Sequence, residues 1–269
     1  MTWERFEREA DHYDDWYNTR RGRRASRAET WLLADFLGTL SDARSALEVG
    51  CGTGHFTGWL AQRGLRTIGL DRSPSMLAVL RRRHPQCSGI LGDAHALPIR
   101  DRCVDLVVFV TTLEFLVDPR RALAEAVRVA RRGVVVVALN RLSLGALSRR
   151  IGPASRGALR SAARDLSPRA LRALLADAAS DRLIGVRCRS ALLPTPFPTR
   201  PTSIPVGDVV GALAALRCRG RTDPERDTGG AIESETNTPG FMRAAANTVH
   251  AASTSNPARN KEGRRVWSS

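Results

Sequence analysis

Apolar positions along the chain fall into two alternating rhythms. Short, nearly continuous apolar runs predict strands near 45–49, 66–70, 87–91, 104–110 and 133–138. Between them, helical spacing predicts helices near 55–63, 74–83 and 119–131. The runs at 104–110 and 134–138 are rich in valine and carry few polar residues, as expected of strands covered on both faces. Ser73-Pro74 and Asp118-Pro119 each set a capping side chain before a first-turn proline. The alternation predicts an α/β fold with a doubly wound sheet.

The flanks are less regular. Trp3, Phe6, Ala10, Tyr13 and Tyr17 are spaced to share one face of a helix over 3–18. The basic cluster Arg20-Arg21-Gly22-Arg23-Arg24 follows, then a second helix over 27–40. After Leu139 the alternation is interrupted by 140–166, rich in arginine, glycine and serine, with one short helical patch near 144–150. Ser167-Pro168 opens a helix through Ala179, and strands six and seven are expected over 183–192 and 209–217. Prolines 194, 196, 198, 201 and 205 make the connection between them an extended loop. Residues 219–269 have no sustained period and are expected to be disordered. The expected division is therefore a helical leader over 1–40, one α/β domain over 41–218, and a tail.

Candidate chemistry gathers where strands end. Ala46-Leu47-Glu48-Val49 runs into Gly50-Cys51-Gly52-Thr53-Gly54, so an acid precedes three alternate glycines and a helix start. Glycine there allows a tight turn and lets a ligand lie on bare backbone, facing the N–H groups of the following helix. Asp71 closes the second strand 21 residues beyond Gly50, placed to take two ribose hydroxyls. Gly92-Asp93 closes the third. Each acid also has a plainer reading: Glu48 as a turn cap, Asp71 as the cap of the helix after Ser73, Asp93 as a loop acid.

With these motifs in order, the chain resembles the class I S-adenosylmethionine (SAM)-dependent methyltransferases. LEVGCGTG is similar to their first motif, GLDRSPSML to their second and LGDAHALP to their third; 103–109 is similar to their fourth strand. The leader 10–17, with its Tyr13-Asp14-x-Trp16, and Asn140-Arg141-Leu142-Ser143 resemble the small-molecule and quinone-type C- and O-methyltransferases. The resemblance implies a Rossmann-like sheet of seven strands with an antiparallel seventh. It implies SAM as cofactor, held by Glu48, Gly50, Cys51, Gly52, Gly54, Asp71, Arg72, Met76, Asp93, Ala94 and Thr111. It implies a small-molecule acceptor, lipid-like, under a lid formed by the leader, 140–166 and the loop around Phe197; the charge of Arg141 and neighbouring arginines favours an anionic or membrane-associated one. Tyr13 either reaches the cofactor or packs. Glu114 is a candidate base or merely a helix-start acid, and His95 is expected to pack or face solvent.

Charge and cysteine content limit the alternatives. The net charge is +15, and one of the 42 basic residues, Lys261, is lysine. A basic chain suits nucleic acid or an anionic membrane surface. Yet the arginines are scattered over the helices without interleaved aromatics, so nucleic acid is not favoured, and an RNA methyltransferase stays as the alternative. A nicotinamide oxidoreductase would leave Gly92-Asp93 unexplained, and a SAM-binding regulator without turnover is the non-enzymatic alternative. No apolar run approaches the roughly 20 residues of a membrane helix. Five cysteines form no Cys-x-x-Cys pair, which points to a reduced, cytoplasmic protein with no metal.

Overall fold

A computed structural model describes residues 4–140, 166–192, 201–204 and 207–218. The helical patch expected near 144–150, Arg141, the loop at Phe197 and the tail lie outside the described residues, as do Trp3 and the side chain of Phe6.

Seven strands form one sheet: β1 (Ser45–Val49), β2 (Arg66–Asp71), β3 (Ser88–Leu91), β4 (Val104–Val110), β5 (Ala130–Leu139), β6 (Leu183–Ala191) and β7 (Val209–Leu216). Their order is β3-β2-β1-β4-β5-β7-β6. All neighbours are parallel except β7, which runs antiparallel to both β5 and β6. The seven expected strands and the reversed seventh are all present. Strand order reverses between β1 and β4, and in such sheets the crevice at that switch point, outside the carboxyl ends, receives ligands.

Helices are α1 (Glu4–Glu9), α2 (Asp15–Asn18), α3 (Arg20–Thr39), α4 (His55–Ala61), α5 (Pro74–Arg83), α6 (Pro119–Val129) and α7 (Pro168–Ala179). The cap-plus-proline starts form as the sequence indicates. Ser73, Asp118 and Ser167 each accept from the backbone N–H three residues on, in Met76, Arg121 and Ala170. On one face Leu32, Leu33 and Phe36 of α3 and Phe56 and Leu60 of α4 pack with Leu106, Val108, Val110, Val135 and Val137. The alternate residues Val107, Phe109, Val134 and Val136 are equally buried, so both faces are covered.

Three expectations about element boundaries need correction. The leader over 3–18 is not one helix: it breaks into α1, a single 3-10 turn (Ala10–His12) and α2. The second helix starts at Arg20 rather than 27, because Thr19 caps it by accepting from Gly22 N–H. Gly22 is required there, since a Cβ would collide with the Trp16 carbonyl of α2. Finally, α6 stops at Val129, and Ala130, Arg131 and Arg132 already belong to β5. Arg131 and Arg132 reach towards Asp105 at the start of β4 (3.8 and 3.5 Å). Asp105 also accepts from Arg44 N–H (2.8 Å), Ser45 N–H (3.0 Å) and Ser45 Oγ (2.9 Å), which fastens β1 to β4 at the edge away from the crevice.

Candidate functional site

The bend after β1 is built by glycine geometry. Gly50, Gly52 and Gly54 have φ of 72°, 53° and 88°, a region that costs other residues roughly 1–2 kcal/mol. Gly50 and Cys51 both donate to the Leu70 carbonyl (2.7 and 3.0 Å), which pins the bend to β2. The three glycines face different surroundings. A Cβ on Gly50 would collide with Thr112, and one on Gly54 would lie 2.9 Å from Leu80 Cγ. One on Gly52 would meet only Tyr13 Cε1 at 3.8 Å and Met76 Sδ at 3.9 Å. Bare backbone therefore faces a slot between a tyrosine and a methionine.

Two acids converge on this bend. Asp71 Oδ2 accepts from Gly52 N–H (2.8 Å) and Oδ1 from Ser73 N–H (2.9 Å). Burial raises its pKa, against the pull of those backbone donors. Ser73 itself is the cap of α5, so Asp71 braces the cap instead of being it. Glu48 is buried and accepts from Thr57 Oγ1 on α4. Burial pushes its pKa up to about 8, opposed by the Thr57 hydrogen bond and assisted by the charge of Asp71.

The other expected site residues have contacts of their own. Asp93 Oδ1 takes the His95 N–H (2.9 Å) and lies 2.6 Å from His95 Nδ1, and its side chain is about half exposed. The imidazole continues to Asp118 N–H (3.3 Å), so His95 links this loop to the start of α6. Cys51 turns into an apolar cluster with Leu77 and Leu80. Arg72 is exposed, and Ala94 is buried. Gly54 packs beneath Leu80. Thr111, at the end of β4, is held in the left-handed region (φ 46°) with its N–H on the Val137 carbonyl (2.8 Å). α4 has only seven residues, two fewer than expected, so its dipole adds little to the bend.

The leader is stitched across the bend. Glu7 accepts from Ser73 Oγ and from Ser75 Oγ (2.6 Å). Asp14 accepts from Thr53 Oγ1 (2.6 Å) and pairs with Arg83. Tyr17 stacks on His55 at 3.9 Å, and Ser26 Oγ is 2.7 Å from His55 Nε2. Tyr13 packs with Ala10, Met76 and Val79. Its hydroxyl pKa is driven up by burial and then by the charges of Glu29, Asp71, Glu114 and Glu48. Glu114 occupies a 3-10 turn (Leu113–Phe115), is buried, and accepts from Leu139 N–H (3.2 Å). Glu7, Glu29 and the clamping role of Asp14 went unnoticed in the sequence. Glu29 had a signal: an acid inside the apolar stripe Ala28, Leu32, Leu33, Phe36.

Residues 47–138 match the family model described as "Methyltransferase domain". An uncharacterised methyltransferase of Mycobacterium bovis is 41% identical over 103 residues, 38% of this chain and 40% of its own length. The demethylmenaquinone methyltransferase of Renibacterium salmoninarum is 39% identical over 115 residues, 43% of this chain and 45% of its own. The chain thus spans under half the length of these curated relatives. A solved SAM-dependent methyltransferase from Thermotoga maritima shares the fold over 79% of this chain and 98% of its own, with a TM-score of 0.65 and 24% identity.

Proposed function

We propose that this chain, whose residues 47–138 match the methyltransferase domain model, is a class I SAM-dependent enzyme that transfers a methyl group from SAM to a small, lipid-like acceptor. The carrying observation is the slot above Gly52: bare backbone at φ 53°, floored by the bend, walled by Tyr13 and Met76, with the Asp71 carboxylate at its rim. A Cβ there would touch both walls, so only bare backbone leaves that surface to a ligand. The residues therefore suit a nucleoside cofactor. Asp71 would take the ribose hydroxyls, Met76 would line the base with Asp93 and Ala94 at its edge, and Glu48 would face the ammonium of the methionine part.

SAM supplies a methyl group already activated on a sulfonium. The chain's own share is alignment and exclusion of water, worth several kcal/mol through proximity. The leader does the excluding: Glu7, Asp14 and Tyr17 hold residues 4–18 over the bend, so the leader is the lid and the sheet with α4–α7 the cofactor-binding part. A quinone-like acceptor is favoured by the relative named for demethylmenaquinone. No helix among the described residues is long and apolar enough to cross a membrane.

Titration calorimetry with SAM and S-adenosylhomocysteine tests the reading. One-to-one binding of both is expected, weakened at least about tenfold, or roughly 1.4 kcal/mol, in Asp71→Ala. Absence of binding at millimolar ligand would refute it.

A further inference from the structure

Among the described residues, Glu29 is a buried acid whose carboxyl holds no other element of the fold in place. It lies on α3 one turn before Leu32 and Leu33, on the stripe that packs against the sheet, and is 4% exposed. Its Oε2 is buried with no hydrogen-bond partner. Compare Asp71, which holds Gly52 and Ser73, and Glu48, which holds Thr57. A buried carboxyl with an unmet oxygen is costly, and leucine or methionine would fill that stripe at less expense. Such a group retains hydrogen-bonding capacity for something that comes and goes.

Its surroundings say what that is. The charge of Glu114, in the turn after β4, raises the pKa of Glu29, and the charge of Glu29 raises those of Tyr13 and Tyr17 in the leader. Tyr13 is the residue whose ring stands over Gly52. The stripe that Glu29 shares packs with Val110 at the carboxyl end of β4, with Val137 of β5 and with Tyr17 of the leader, which puts Glu29 on the crevice side of the sheet. Burial and the charge of Glu114 push the Glu29 pKa up to about 8, so above that pH an acceptor lying against Tyr13 meets an ionised carboxyl, a setting that attracts a proton-bearing group and repels an anion.

Resting on the reading given under "Proposed function", we propose that Glu29 binds the acceptor, taking a hydrogen bond from its hydroxyl or amine, so that the site selects a proton-bearing nucleophile and rejects a carboxylate. This narrows the acceptor from lipid-like or anionic to phenol-, enol- or amine-bearing.

The test uses the full chain saturated with S-adenosylhomocysteine and three probes: 4-ethylphenol, tyramine and 3-phenylpropionate. Calorimetry at about pH 9, where Glu29 is ionised, should show 4-ethylphenol or tyramine binding at millimolar concentration and 3-phenylpropionate binding at least about tenfold more weakly. The phenol and the amine arms separate the two proton donors. Glu29→Gln keeps the shape and removes the carboxylate. It should weaken the bound probe at least about tenfold while S-adenosylhomocysteine affinity stays within about threefold. Preference for 3-phenylpropionate, an unchanged probe affinity in Glu29→Gln, or no binding of any probe up to about 10 mM overturns the proposal. If S-adenosylhomocysteine itself does not bind the unaltered chain, it is the methyltransferase reading that has failed, and this proposal with it.

Discussion

Gly52→Ala separates folding from cofactor binding in a way that can be calculated beforehand. The new methyl group has room, with its nearest neighbours Tyr13 Cε1 and Met76 Sδ at 3.8 and 3.9 Å. The backbone, at φ 53°, resists. Left-handed alanine costs roughly 1–2 kcal/mol, and the stiffer unfolded chain returns about 0.4–1 kcal/mol. The net loss of stability is about 0.5–1 kcal/mol. Binding should suffer far more, because that methyl group projects into the slot where a ligand must touch bare backbone. Overpacking of a tight contact costs about 2–3 kcal/mol, or roughly a hundredfold in affinity. Gly54→Ala is the control. Its Cβ would lie 2.9 Å from Leu80 Cγ and 3.2 Å from His84 Cδ2, at φ 88°. Strain and overpacking together should cost about 3 kcal/mol of stability. Urea denaturation and calorimetry with S-adenosylhomocysteine measure the two quantities. A Gly52→Ala variant that binds within about threefold of the unaltered chain, or that is as unstable as Gly54→Ala, would refute the slot.

Other outcomes follow from the acids and the leader. Glu48, with its pKa pushed up to about 8, is mostly neutral at pH 7, whereas a ligand ammonium favours its ionised form. Affinity for S-adenosylhomocysteine should therefore rise from pH 6 to 8 with proton release, and Glu48→Gln should flatten that rise; a pH-independent affinity in the unaltered chain sinks the assignment. Asp105 is pulled below the usual carboxylate range: burial pushes upward, but donors at Arg44 and Ser45 and the charge of Arg131 outweigh it. A depressed carboxylate stabilises above its unfolded pKa, and the benefit vanishes as pH falls through the folded one. Asp105→Asn should lose about 2–3 kcal/mol at pH 7 and little at pH 2, with methyl transfer by the folded fraction unchanged. Asp14→Ala removes the Thr53 and Arg83 contacts; the leader should become sensitive to limited proteolysis and cofactor affinity should drop about tenfold. Equal protease resistance would argue against the leader as a lid.

The sheet was legible because strands buried on both faces have no polar side to conceal. Val104–Val110 leaves no helical alternative, and the acids that end β1 and β2 mark the crevice directly. The boundary of α6 with β5 was not legible, since Ala130-Arg131-Arg132 suits a helix locally. It takes Asp105, 25 residues earlier, to draw those arginines into a strand. The start of α3 was misplaced for a related reason. Arg20–Arg24 looks like a solvated cluster, but arginine is a good helix former, and the decisive contact is Gly22 under Trp16. Glu29 belongs to a third kind. Helical spacing puts it on the packed face, but no rule of spacing says that its oxygen meets no donor.

The place of β7 between β5 and β6 has a bearing on how the chain is made. During synthesis the two strands that flank it emerge first, so each must wait with a bare ladder edge until residues 209–216 leave the ribosome and slot between them. Open edges of that kind recruit other chains. Ribosome-bound fragments ending before residue 209 should accordingly be the aggregation-prone stage of this protein's birth, and the last strand the one that seals it.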